Sequence, residues 1–528
     1  MDPIKMIIDG REVVTTKGKT VIQAAAEEGI AIPHYCYHPK LTIAGNCRMC
    51  LVEIEKMPKL QIACNTQVAE GMSVLTQSPK VLGARKAVME FLLINHPVDC
   101  PICDQAGECW LQDYYMQHDR QESRFSERKE HDRKREIFGP NVVFDGERCI
   151  KCTRCVRFLQ EVTHTNELTV VERSDHSTIA LFPGSVLDNP LSGNVVDICP
   201  VGALTDRDFR FKVRVWYLQK TPSICPGCST GCNISVETYQ NRIARFKPRI
   251  NEAVNSHWLC DEGRYCFHDL TAGERLTTPL VRQEGGLVPA TWEQALAAAY
   301  KGLGARGPLA GILSGRSTNE EAFLFAKLMK RLSAEAALEV VYQERPLTET
   351  EKILKSPDRS PNFRGARDMG VSDGGFDSVL RRLAGGEFSG AYVAGDDILG
   401  LTGNSAALGA ALEKLSFLVV QDIRLTETAK LAHVVFPATH FAEKEGTYTN
   451  RKGRVQQLHQ AVIPPPGAMS DSEIFLRLLA LSGENLSWAG PSEIFAALAQ
   501  ENPTYHGLSY AALGGNGVAL GGGAAAPA

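Results

Sequence analysis

Fifteen of the sixteen cysteines, with one histidine, fall into four groups spaced like metal-cluster ligands. The groups are Cys36, Cys47, Cys50 and Cys64; His96, Cys100, Cys103 and Cys109; Cys149, Cys152, Cys155 and Cys199; and Cys225, Cys228, Cys232 and Cys260. Thiolate and imidazole are the soft and borderline donors that hold zinc or iron–sulfur clusters. C-x2-C-x2-C closed by a distant Cys199-Pro200 is a specific [4Fe–4S] signature. The fourth group, with C-x2-C-x3-C-x27-C spacing, reads as another [4Fe–4S] site. In the second group three cysteines need a fourth donor, and His96 is the nearest suitable one. A histidine at a helix end is usually a cap or core residue; here ligation gives a [4Fe–4S] site with one imidazole and three thiolates. The first group fits a [2Fe–2S] site, against a zinc ribbon, which usually has two C-x2-C knuckles where this chain has one. One [2Fe–2S] and three [4Fe–4S] clusters account for all of these donors and leave Cys266 as a free thiol.

Local elements must hold the donors in place. Ile4–Ile8 and Arg11–Thr15 around Asp9-Gly10 read as a hairpin, and Thr20 caps a helix from Val21 that stops at Gly29. The Gly45-to-Cys50 loop lets backbone amides approach a sulfur. Ser78-Pro79 opens a helix that ends near His96-Pro97. His34 and His38 flank Cys36 and read as structural. Residues 117–136 are a charged, mostly solvated run without assigned chemistry. Lys151, Arg154 and Arg157 sit among the third group, either offsetting cluster charge or as plain surface charge.

No cysteine follows Cys266. In that half, capping boxes at Thr291–Gln294 and Ser317–Glu320 open helices. Strands are predicted at Leu309–Leu313, Leu338–Tyr342, Ala391–Ala394 and Phe417–Gln421. Helices at Glu321–Leu332 and Ala406–Leu415 alternate with them, as in α/β layers on a largely parallel sheet. Gly302-Leu-Gly304-Ala-Arg-Gly307 matches the dinucleotide fingerprint formally, but it follows a helix and precedes a strand, the reverse of the required order. At 528 residues, several domains are expected. The net charge of −4 argues against a general nucleic-acid binder. No run of about 18 apolar residues suggests a membrane span, and the first residues lack the pattern of a secretory signal.

Pro33-His-Tyr-Cys36, Gly45-Asn-Cys-Arg-Met-Cys50, His96–Cys109 with Leu111-Gln-Asp113, and Arg148–Arg157 make the series recognisable. It resembles the large iron–sulfur subunits of bacterial respiratory NADH:quinone oxidoreductase, complex I, strongly over about the first 275 residues and weakly beyond. That resemblance implies electron relay without substrate chemistry in this chain. Electrons enter from a flavin- and NADH-binding subunit and reach the [2Fe–2S] centre, then the Cys149 centre, then the His96 centre. They leave toward a small ferredoxin-like subunit and quinone. The Cys225 centre stands apart from this path. The implied location is the cytoplasmic side of the bacterial inner membrane, peripheral and reached through partner subunits.

The expected fold is multidomain α+β and α/β. It comprises a ferredoxin-like [2Fe–2S] domain (1–78), a [4Fe–4S] domain with one histidine and three cysteine ligands (79–118) and a [4Fe–4S] ferredoxin-like domain (140–215). A [4Fe–4S] domain of molybdopterin-oxidoreductase type (218–274) and an α/β domain of the same kind (275–512) follow, with a disordered tail (513–528). Gly446–Asn450 with Arg454–Gln456 resembles a molybdopterin-oxidoreductase segment. The alternative is the large subunit of an NAD-dependent formate dehydrogenase. Against it stand the missing metal-binding cysteine, Glu262 where such enzymes commonly carry lysine, and a region shorter than they require. No molybdenum is expected.

Overall fold

The computed structural model describes residues 2–304, 307–372, 374–403, 405–484 and 486–521. Two units separate at Leu218, Met1–Leu218 and Gln219–Ala528.

In the first unit the Asp9-Gly10 turn, with both residues at positive φ, joins β1 (Pro3–Ile8) to β2 (Arg11–Thr16). Alternate residues of these strands (Met6, Ile8, Val13) point into a core closed by α1 (Val21–Glu27). Thr20 starts α1 with a reciprocal capping box to Gln23. With β3 (Leu51–Ile54), β4 (Gln61–Ile62) and β5 (Ser73–Leu75) the sheet runs β2-β1-β5-β3-β4. Next, α2 (Pro79–Leu93) begins at the Ser78 cap, whose hydroxyl accepts from Val81 N. It ends three residues before His96. Then come α3 (Trp110–His118), β6 (Glu136–Ile137) and β7 (Val142–Phe144). They are followed by α4 (Arg154–Glu161), the β8 (Leu168–Val171) and β9 (Thr178–Leu181) hairpin, α5 (Asn194–Asp197) and β10 (Leu204–Asp206).

The run 117–136, read as mostly solvated, has a structural task. Lys129 Nζ donates to the carbonyls of Leu93, Ile94 and His96 at 2.8, 2.8 and 2.9 Å. It thereby satisfies the carbonyls that α2 leaves open at its end.

The second unit opens with an antiparallel sheet of β11 (Gln219–Ile224), β12 (Asn233–Tyr239) and β13 (Arg242–Pro248), then α6 (Asp261–Tyr265). A seven-stranded sheet follows, built from β14 (Leu280–Gln283), β15 (Gly286–Pro289), β16 (Leu309–Leu313), β17 (Ala337–Val340), β18 (Gly390–Ala394), β19 (Phe417–Asp422) and β20 (Val434–Pro437). Its order is β15-β14-β20-β19-β18-β16-β17, with β16 to β20 parallel. Every residue of β16, β17, β18 and β20 is buried, as expected of strands covered by helices on both faces.

The box read at Ser317–Glu320 lies one residue later. Thr318 Oγ1 accepts from Glu321 N at 3.2 Å, and Glu321 Oε2 accepts from Thr318 N at 2.8 Å. Both registers satisfy the pattern; Glu320 is turned inward, where it accepts from Thr447 N at 2.9 Å and from the Tyr510 hydroxyl at 2.9 Å. The glycine-rich Gly302–Gly307 segment ends the helix Trp292–Gly304 ahead of β16, so the order is helix then strand; Ala305 and Arg306 fall outside the described residues.

The tail read as disordered from 513 needs correction as far as Gly521. β21 (Gly446–Thr449), β22 (Arg454–Leu458) and β23 (Val518–Ala519) form a sheet in which Val455 faces Val518. Gly517 makes this approach possible. It sits at φ +71°, and a Cβ there would lie 2.3 Å from the Val455 carbonyl oxygen. Residues 522–528 lie outside the described residues.

Candidate metal centres

All sixteen cysteines are unbridged. In the first group, β3 starts immediately after Cys50 and β4 ends just before Cys64. The Leu51↔Ile62 pairing therefore brings these two cysteines together. Cys36 N donates to Cys47 Sγ at 3.5 Å. The Cys47 side chain also holds the Cys36 thiol down to about 5, while Cys47 itself is pushed up. Arg48 takes positive φ within the loop that presents Cys47 and Cys50.

The second group meets on one cavity of about 620 Å³, lined by His96, Cys100, Cys103, Cys109 and Gly202. Burial pushes the His96 imidazole down to about 4, which keeps it neutral, the form that binds metal. Asp99, inside the ligand loop, is held by the Arg148 guanidinium through two bonds of 3.0 and 2.5 Å. Gly202 approaches so closely that a Cβ would lie 2.3 Å from Cys103 Sγ. That residue was not singled out from the sequence, since it follows the third group and its contact with the second is purely tertiary.

The third group encloses a small cavity with Phe144, Ile179, Val201 and Leu204. Lys151 and Thr153 at positive φ coil the backbone between the cysteines, and Lys151 N donates to Cys149 Sγ at 3.4 Å. Burial pushes Cys149 up to about 11 and Cys199 to about 12, with neighbouring sulfurs adding to the rise at Cys199. Thiolates crowded into such a space need a cation beside them. Arg154 and Arg157 prove to be buried, so they are not plain surface charge; Lys151 is partly exposed and paired with Asp132 at 3.1 Å.

The fourth group lies in the second unit. Cys225 directly follows β11, Cys232 precedes β12, and Cys225 N donates to the Cys232 carbonyl at 2.8 Å. Cys260 caps α6, its sulfur accepting from Gly263 N at 3.3 Å. A Cβ at Gly263 would come within 2.9 Å of Cys225 Sγ and 3.2 Å of Cys260 Sγ. The four cysteines share a small cavity with Gly227, Leu354 and Lys355. The Gly446–Gln456 segment braces this loop. Asn450 Nδ2 donates to the Thr230 carbonyl and Gln456 Nε2 to that of Gly231, both at 3.1 Å. Cys266, left over in the sequence, lies against Cys225 and pushes that thiol up by hydrogen bonding.

Among the described residues, no three His, Cys, Asp or Glu side chains converge on a single metal ion. A cluster takes its ligands at separate iron atoms and does not need donors that meet at a point.

A second cavity of about 620 Å³ opens at the carboxyl ends of the parallel strands, lined by Ser314, Arg316, Asp396, Asp422 and Lys444 among others. Glu262 borders both this cavity and that of the fourth group. It is paired with Arg345 at 2.9 Å, with Arg359 at 2.5 Å and with Lys355.

Family models agree with this layout. A 2Fe-2S iron-sulfur cluster binding domain matches residues 1–79, and an NADH-ubiquinone oxidoreductase-G iron-sulfur binding region matches 85–124. The ferredoxin-like domain of NADH-quinone oxidoreductase subunit 3 matches 139–205. A molybdopterin oxidoreductase Fe4S4 domain matches 218–270, and molybdopterin oxidoreductase matches 275–349 and 362–481. The chain is a multidomain iron–sulfur protein with a molybdopterin-oxidoreductase-like α/β half.

More particularly, it is similar to the G subunits of NADH-quinone oxidoreductase. The G subunit from Rickettsia prowazekii is 45% identical over 292 residues, 55% of this chain and 43% of the relative. The mitochondrial NADH-ubiquinone oxidoreductase 78 kDa subunit of Neurospora crassa is 44% identical over 353 residues, 65% of this chain and 47% of the relative. The NADH-ubiquinone oxidoreductase 75 kDa subunit of Reclinomonas americana is 41% identical over 367 residues, 68% and 53%. The chain spans about half the length of the curated relatives it matches. The crystal structure of an NAD+-reducing [NiFe]-hydrogenase in the H2-reduced state overlaps 40% of this chain and 91% of the hydrogenase chain, with 29% identity and a TM-score of 0.37.

Proposed function

We propose that this chain is an electron-relay subunit of an NADH:quinone oxidoreductase of the complex I type. It would stand between an NADH- and FMN-binding subunit and a small ferredoxin-like subunit leading to quinone. The single observation that carries the proposal is the coincidence of four donor groups with homology to subunits of that enzyme. The proposed ligands are Cys36, Cys47, Cys50 and Cys64 for a [2Fe–2S] cluster. Three [4Fe–4S] clusters would use His96 with Cys100, Cys103 and Cys109; Cys149 with Cys152, Cys155 and Cys199; and Cys225 with Cys228, Cys232 and Cys260. When bound, such clusters supply one-electron carriers. The chain's own residues bury the sulfurs, direct amide N–H groups at them and set the surrounding charge; none is assigned acid–base or nucleophilic work. The proposed domains keep the boundaries expected from the sequence up to residue 512, and the Cys225 cluster is proposed to lie off the main path. The α/β half is proposed to act without molybdenum. Membrane association, on the cytoplasmic side of the bacterial inner membrane, would come through partner subunits; no described helix is long and apolar enough to cross a membrane. The formate dehydrogenase alternative is not favoured, since the relatives named above are complex I subunits.

Iron content tests the reading. Full-length protein reconstituted anaerobically should bind about 14 iron atoms, two for the [2Fe–2S] cluster and four for each of the other three. Zinc in their place, without thiolate-to-iron absorption, would return the cysteines to structural zinc sites.

A further inference from the structure

Arg154 precedes Cys155 and is 2% exposed. Its Nη1 donates at 3.1 Å to the carbonyl of Ile198, the residue before Cys199. Its Nη2 donates to the carbonyl of Tyr37, the residue after Cys36. Its Cζ lies 4.6 Å from the centroid of the Trp110 ring, and Trp110 follows Cys109. One side chain therefore touches a residue adjacent to a proposed ligand in each of the three groups of the first unit. These partners are two carbonyls and an indole, none of them an anion, so they leave the charge uncancelled. A buried cation acts over several ångströms in a medium of low dielectric constant.

Arg157, one turn further along α4, provides an internal comparison. Its Nη2 donates to the carbonyls of Cys36 and Cys152 at 2.6 and 3.2 Å. Its Nη1 donates to the Thr42 carbonyl, and its Nε to Thr153 Oγ1 at 3.3 Å. These partners belong to the first and third groups alone. Trp110 carries the contact of Arg154 to the second group, and the backbone fixes that indole from the other side: Trp110 N donates at 3.0 Å to the carbonyl of Pro200, beside Cys199.

The geometry points to Arg154 as a positioning residue at the meeting of three redox centres, where it holds their flanking segments together and biases all three toward the reduced form. Reduction adds one negative charge to a centre, and a fixed buried cation stabilises that added charge. Arg157 does the same for two centres only. The inference rests on the reading that the three groups hold clusters.

The test is a potentiometric titration followed by low-temperature EPR on the full-length chain loaded with its clusters. Iron and sulfide content, with the presence of three separate signals in the wild type, decides the cluster reading first. R154Q at wild-type iron content should then lower the midpoints of the [2Fe–2S], Cys149 and His96 centres together. R154K, which keeps the charge, should hold all three nearer to wild type. R157Q should lower the first two and leave the His96 centre where it was. A His96-centre midpoint unmoved in R154Q, or moved equally in R157Q, overturns the inference. Should R154Q lose iron, R154K and R157Q decide in its place. Midpoints near wild type in R154K, with a fall confined to the [2Fe–2S] and Cys149 centres in R157Q, support the junction. A fall of any midpoint in R154K, or of the His96-centre midpoint in R157Q, overturns it.

Discussion

At Gly202 the absence of a side chain is a requirement of the neighbouring cysteine group. An alanine there would place its Cβ 2.3 Å from Cys103 Sγ and 3.1 Å from Gln105 Cβ, closer to the sulfur than packed atoms approach. G202A is therefore predicted to displace one ligand and cost about four iron atoms, one [4Fe–4S] cluster. The His96 signal should disappear while the Cys149 signal, whose ligand Cys199 is three residues away, persists. H96A should have the same selective effect. EPR and iron analysis on both variants check this; an unchanged His96 signal in H96A would assign the fourth ligand elsewhere. The two residues differ in how far the sequence revealed them. The place of His96 on one cavity with Cys100, Cys103 and Cys109 was legible because all four lie on the same short loop, so spacing alone brings them together. Gly202 was not, because its demand arises only when the loop after Cys199 folds back over Cys103. Arg154 stood between these cases: its place among the ligands was plain, and its burial was not.

At the scale of elements, one ion pair ties the approach to β14 to the turn after β20. Arg275 Nη1 and Nη2 donate to the two carboxylate oxygens of Glu443 at 2.7 and 2.8 Å, and Nη2 also reaches the Ala438 carbonyl at 3.3 Å. Burial raises the Glu443 carboxyl, but Arg275 and His440 outweigh it and hold the group down to about 2. The folded state thus releases this proton more readily than the unfolded chain does. The stabilisation is full above about pH 4.5 and is lost as the pH falls toward about 2. E443Q should cost roughly 2–3 kcal/mol at neutral pH, with the gap to wild type closing on acidification. Unfolding of both proteins at pH 7 and near pH 3 measures it; a gap that stays constant would mean that the charge is not its source. Elements like these were unevenly legible. β16, β18 and β19 are apolar runs between clear helices and were read nearly to their ends. The β14–β15 hairpin was missed because Arg282 and Gln283 dilute its apolar pattern, and β20 because its four residues run directly into the Pro437 turn. The capping box was misplaced by one because Ser317 and Thr318 each precede a glutamate at the required distance.

For the whole molecule, the question is what the α/β half, which matches molybdopterin oxidoreductase, does with its cavity. Compositional reading failed at its end, where a glycine- and alanine-rich tail looked unstructured. Val518–Ala519 nevertheless pairs with β22, because strand pairing needs backbone and a glycine at φ +71° rather than large side chains. The cavity presents Ser314, Arg316, Asp396, Asp422 and Lys444 at the strand ends, and Cys266 is the one cysteine on its described lining. That thiol is turned toward Cys225, whose pKa it raises through a hydrogen bond. Glu262 is held by Arg345, Arg359 and Lys355 between this cavity and the fourth cysteine group. Lys355 lines the cavity of the fourth cysteine group, so a cation stands beside those thiols. A catalytic metal needs its complete ligand set and the shell that orients it. The prediction is that protein from molybdate-supplemented cells carries no stoichiometric molybdenum or tungsten and does not reduce dyes with formate. Stoichiometric molybdenum together with formate oxidation would make this half a catalytic domain and replace the relay reading with a dehydrogenase.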